Sequence, residues 1–190
     1  MLTDKVLTLT LGAIFLLMLA CEGPAAETET AEAIPESRTR TLFDEPIFWD
    51  YAASSNMLQV ELAKLAAEKG STEKIRSIAR EAAAFHEEAL QRLTQLVGKQ
   101  QRITLPDSLG GADKGLVQDM RLLEGEAFDL RYREFIISTH NAQLDRYEEA
   151  LVKADDQQVR QWIMDLRKHL REEVNKLSEL DSLGVAEEEA

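Results

Sequence analysis

Four stretches of this chain, of about 23, 27, 28 and 25 residues, repeat apolar side chains at helical spacing, and two of the three breaks between them are very short. Helices of that length are about 35 to 42 Å long at 1.5 Å per residue, matched well enough to pack side by side. The first begins near Pro46, a residue suited to a first turn, and carries Phe48, Ala52, Leu58, Leu62, Leu65 and Ala66 before Gly70 stops it. Ser71 or Thr72 caps the second, which presents Ile75, Ile78, Ala82, Ala89, Leu93 and Leu96 and ends at Gly98. The third runs from Glu126 to about Lys153. Asp155 or Asp156 caps the fourth, with Val159, Trp162, Ile163, Leu166, Leu170, Val174, Leu177 and Leu180 on one face. The expected fold is all-α, an antiparallel four-helix bundle. Between Lys99 and Gly125 lies a long connection with Pro106, Gly110, Gly111 and Gly115 and a short helix over Lys114–Leu123. A crossover bundle of the ferritin type needs such a connection, and an up-and-down bundle with a decorated loop is the other topology that accommodates it.

The bundle domain is expected over residues 46–183, with 184–190 as a solvated acidic tail. Ahead of it, residues 21–45 are rich in Ala, Glu, Thr and Pro with almost nothing to bury, which reads as a disordered acidic linker. Residues 1–20 form a signal peptide: Lys5 precedes an apolar run from Val6 to Ala20, too short for a comfortable membrane span. The run ends Leu17-Met18-Leu19-Ala20-Cys21 and resembles a bacterial lipoprotein signal, in which the cysteine becomes lipidated and N-terminal after cleavage. Cys21 is the single cysteine, so no intramolecular disulfide forms. The expected location is the cell envelope, on the periplasmic face of the outer or inner membrane, with the lipid as the contact to the membrane. A net charge of −13, from 35 acidic and 22 basic residues, argues against nucleic acid as a partner and leaves cations open.

The chain has three histidines, each on the apolar stripe of a different helix: His86, His140 and His169, with Glu173 one turn beyond the last. Each lies within about one residue, roughly 1.5 Å, of the middle of its helix, so all three share a level whichever topology holds. Gln59 sits beside the midpoint of the first helix. Such a polar layer in an apolar core must be paired or must coordinate something. Two readings are open. The imidazoles, with Gln59 or Glu173, hold zinc, copper or iron; or they hydrogen-bond to one another, to Tyr132, Tyr147 or Gln59, and to a buried water. A dinuclear carboxylate oxidase site uses paired Glu-x-x-His motifs, and here Ala83, Ile137 and Leu166 stand three residues before the histidines. Asp129, roughly 16 Å along the helix from His140, reads as the negative charge favoured near a helix start. No serine has a nucleophile-elbow context and Gly110-Gly111 is a turn, so no catalytic residue is identified.

Phe48-Trp-Asp-Tyr-Ala-Ala, Met57-Leu-Gln-Val-Glu-Leu-Ala-Lys-Leu-Ala-Ala-Glu-Lys69, Ile78-Ala79 leading to His86, Thr104-Leu-Pro106, Phe128-Asp129 with Tyr132 and His140, and Leu166 with His169-Leu170 together resemble a known family. It is the bacterial domain of unknown function 4142, a ferritin-like group of exported proteins often labelled as predicted outer-membrane proteins, and the resemblance covers roughly Phe48 to Leu180. It implies the bundle fold and no established activity. The family usually carries glutamate where this chain has Gln59 and an acid where it has Phe85, and a neutral amide is a poorer metal ligand than a carboxylate. The sequence therefore leads to a lipid-anchored bundle with a non-catalytic binding or structural role, and the alternative is a metal-binding or redox protein with a mid-bundle histidine site.

Overall fold

The computed structural model describes residues 41–98 and 100–188, and among them there are helices and no strand. The signal peptide, Cys21 and most of the expected linker lie outside these residues. Five α-helices follow a 3-10 turn at Leu42–Asp44: α1 Pro46–Lys69, α2 Glu73–Val97, α3 Gly111–Arg121, α4 Gly125–Lys153 and α5 Gln157–Glu188. The third and fourth long helices expected from the sequence are thus α4 and α5. Local chemistry sets the starts. Pro46 opens α1, the Thr72 hydroxyl accepts from Ile75 N at 3.2 Å, and Asp156 Oδ1 accepts from Gln158 N and Val159 N at 2.7 and 3.0 Å.

Side-chain contacts give the directions. α1 turns back into α2 at Gly70–Thr72. Glu81 pairs with Lys176 and Arg92 with Asp165, so α2 and α5 run antiparallel in one register. Glu148 pairs with Arg167, and His140 with Glu173, which makes α4 and α5 antiparallel. Phe48 meets Tyr147 near the start of α1, while Lys69 lies over Phe128 at its end, so α1 and α4 are antiparallel as well. It follows that α2 and α4 point the same way. The connection carries the chain back along α1, where α3 packs and the Lys69 ammonium donates to the Arg121 carbonyl.

α1 is buried on several faces because α2, α3 and α4 all pack on it, which suits its lack of a polar side wide enough to face solvent. The apolar core falls into two clusters. One joins Trp49, Leu93, Tyr147, Trp162 and Leu166; the other joins Leu62, Ile78, Met120, Phe128 and Leu177. Between them lie the buried polar groups Asn56, His86, His140 and Glu173.

Three expectations are corrected. Residues 41–45, assigned to the disordered linker, are folded: Leu42 is fully buried, its carbonyl accepts from Trp49 Nε1 at 3.0 Å, and Phe43 stacks on the Trp49 ring. Two adjacent apolar residues cover the indole, a detail that segment composition averages away. α5 runs through Gly184, where a stop was expected, to Glu188; a single glycine weakens a helix by only about 1 kcal/mol relative to alanine. Asp129 does not serve its own helix start. It is buried and accepts from Ser71 N at 3.0 Å and Ser71 Oγ at 2.5 Å, tying the α1–α2 turn to α4.

Gly70 has an ordinary φ of −49°, so its role is steric: a Cβ there would stand 2.8 Å from both the Ala66 carbonyl oxygen and Ile75 Cγ2. Gly70→Ala is expected to lower unfolding stability by about 1 to 3 kcal/mol. Gly110→Ala, which meets nothing within 4 Å, is the control and should leave the denaturant midpoint almost unchanged.

Candidate metal centre

The middle of the molecule is built from one or two polar side chains on each long helix. On α1, Ala52, Asn56, Gln59 and Ala63 follow one another along a seam of buried positions. α2 supplies His86, α4 supplies His140, and α5 supplies His169 and Glu173 one turn apart. The ring centroids of His86 lie 6.0 Å from those of His140 and 5.3 Å from those of His169. The three imidazoles therefore converge. Gln59 is buried with its Nε2 lacking a hydrogen-bond partner, yet the α1 residue that reaches His86 is Asn56, one turn earlier.

Asn56 sets the protonation pattern of His86. Its Nδ2 donates to the Ala52 carbonyl at 2.7 Å, which turns Oδ1 toward His86 Nδ1 at 2.8 Å. An acceptor oxygen at Nδ1 requires the proton on that nitrogen, leaving the lone pair on Nε2. That Nε2 is buried and has no hydrogen-bond partner. Burial also keeps the ring neutral, pushing its pKa down to about 3 against the opposing pull of Glu173. A neutral imidazole with one nitrogen anchored and the other free is the form that binds metals.

Glu173 is the anionic member. Burial raises its pKa, but the hydrogen bond from His140 and the nearby His169 imidazole outweigh it, so the carboxyl is held well below the usual range. His140 Nε2 donates to Glu173 Oε2 at 2.9 Å, and the Tyr132 hydroxyl donates to Oε1 at 3.5 Å. Burial, and after it the Glu173 charge, raise the Tyr132 pKa, so the phenol keeps the proton it donates. His169 Nε2 lies 3.4 Å from Glu173 Oε2, near enough for ion pairing but misaligned for a hydrogen bond.

His86, His169 and Glu173 can hold a metal ion: each offers one ligand atom, and these atoms lie within 4.8 Å of one another. Bonds of about 2.0 to 2.2 Å require ligand atoms no more than about 4 Å apart, so the set would close by roughly 1 Å around an ion. His140 then orients the carboxylate from behind. The cavity of about 390 Å³ between α1, α2 and α3, lined by Met57, Val60, Leu90, Leu109 and Val117, contains none of these groups.

Sequence reading missed Asn56 as a site neighbour and the stacking of Phe85 on the imidazoles. Asn56 shares the seam of Ala52 and Gln59, and an amide on that seam was the available signal. Phe85 adjoins His86, and the sequence marks it only as standing where the family usually carries an acid.

The model of the family described as "Domain of unknown function (DUF4142)" matches residues 28–180 of the chain. No curated protein is significantly similar to it.

The direction of the His86 shift fixes a pH dependence for the metal-free protein. The unfolded chain takes up a proton on this ring below about pH 6.5, whereas the folded ring refuses it until about pH 3. Stability from this group is complete above pH 6.5 and falls as pH drops, by up to about 1.4 kcal/mol per pH unit. Glu173, His140 and His169 face the ring, so the comparison is between wild type and His86→Gln, thermally unfolded in the presence of a chelator. The variant should melt lower at pH 7 yet lose less between pH 6 and pH 4; parallel pH profiles would contradict the assignment.

Proposed function

As the chain belongs to the DUF4142 family, we propose that it is a lipid-anchored protein of the bacterial cell envelope whose helical bundle binds a transition-metal ion without catalysis. One observation carries the metal reading: His86, whose buried Nε2 has no partner while Asn56 holds its Nδ1, belongs with His169 and Glu173 to a set of residues whose ligand atoms lie within 4.8 Å of one another. A core that served packing alone would leave this nitrogen without a partner at a cost of about 1 to 3 kcal/mol. Two imidazoles and a carboxylate suit zinc, copper or iron. The absence of a Glu-x-x-His pair, and the fact that none of the three ligand residues lines the cavity of about 390 Å³, favour holding an ion over turning over an organic substrate.

The antiparallel neighbours, and the connection that runs back along α1, support a ferritin-like four-helix bundle as the finer description of the fold. The tether rests on Leu17-Met18-Leu19-Ala20-Cys21 after an apolar run, with the acidic residues that follow serving as spacer.

Protein purified without a histidine tag is expected to carry close to one equivalent of metal by elemental analysis, or to acquire it with a rise in melting temperature on addition of zinc, copper or iron. Saturation at one hundred times Kd adds about 2.7 kcal/mol. His86→Ala and Glu173→Gln should abolish both signals, while His140→Phe weakens binding about 10- to 100-fold. Metal-free protein with no melting shift would leave a purely structural bundle.

The anchor has its own test. Cys21→Ser should move the protein from the membrane fraction to the soluble envelope fraction; tight membrane retention of that variant would count against lipidation.

A further inference from the structure

Phe85 touches both imidazoles of the ligand set. It lies flat on the His169 ring, with centroids 3.7 Å apart and 10° between planes, and meets the His86 ring edge-on at 5.5 Å. Of the three ligand residues, His169 is the one that reaches solvent: its side chain is 16% exposed, against 1% for His86 and 3% for Glu173. The shortest way in therefore passes His169, along the seam between α2 and α5. Half-buried Phe85 lies across that way.

The helices on either side of the seam are tied together. Glu81 bonds to Lys176 at 2.6 Å on one side of Phe85, and Arg92 to Asp165 at 2.9 Å on the other. An ion arriving with its water shell needs space at His169, and with α2 packed on α5 a side-chain rotation is the smallest movement that gives it. Ring rotamers interchange far faster than helices separate.

We propose that Phe85 is the movable cover of the metal centre: turning off the His169 ring, it opens the path by which a divalent cation exchanges between Glu173, His86, His169 and solvent. This rests on the metal-binding reading. A cover differs from a brace in kinetics. A brace stabilises only the bound state, so its loss speeds release; a cover obstructs both directions, so its loss speeds association and release together and leaves Kd nearly as it was.

Zn²⁺ uptake, and its removal by a chromophoric chelator, are followed by stopped flow on wild type, Phe85→Ala and Phe85→Leu, the last keeping apolar bulk without a flat ring. Phe85→Ala should accelerate both steps about tenfold, the scale of losing one stacked aromatic pair, with Phe85→Leu between it and wild type. If Phe85→Ala does not fold, Phe85→Leu alone carries the comparison. Faster release with unchanged association overturns the cover in favour of a brace, and wild-type rates in the variants overturn it outright. A wild type that takes up none of Zn²⁺, Cu²⁺ and Fe²⁺ overturns the metal reading and the cover together, whereas uptake with unchanged rates removes the cover alone.

Discussion

A carboxylate buried midway along a helical core has to be neutralised where it stands, and the architecture of this protein answers to that demand at Glu173. His140 from α4 donates to one oxygen, Tyr132 from the same helix approaches the other, and His169 lies on its own helix one turn back. These contacts bind α4 to α5 across the level where the two apolar clusters leave off. The charge is thus held by imidazoles and a phenol. Such a centre is buried and rich in nitrogen, and its His86, His169 and Glu173 could hold a metal ion.

The second half of the layer belongs to α1 and α2. Asn56 completes a bond to its own helix at the Ala52 carbonyl and offers its oxygen to His86, while the Tyr147 hydroxyl lies 3.5 Å from its Nδ2. One amide therefore links the aromatic cluster around Trp49 and Trp162 to the histidine layer. The direction of each helix matters here. His86 and His140 reach the centre from α2 and α4, which point the same way, and α5 supplies His169 and Glu173.

Much of this was legible from residue spacing. The stops at Gly70 and Gly98 are local properties and reappear as the ends of α1 and α2, and of the cap pairs Ser71 or Thr72 and Asp155 or Asp156 the structure uses Thr72 and Asp156. The common level of His86, His140 and His169 was legible for a similar reason: helical rise turns residue number directly into height. Gln59 shows where this method stops. It sits at the right height, yet Asn56 makes the contact, because height does not say which of two neighbouring turns meets the partner.

Sequence by itself determined the helical class, the approximate lengths of the first three long helices and the presence of a polar layer, because hydrophobic period, capping and helical rise act within one segment. Tertiary structure decided the rest. Asp129 anchoring the α1–α2 turn, Leu42 closing over Trp49, Asn56 choosing the tautomer of His86, and Phe85 lying on His169 are all contacts between segments distant in the chain. Each depends on the rotation of one helix about its axis relative to another and on a side-chain rotamer, and packing fixes both only once all the helices are in place.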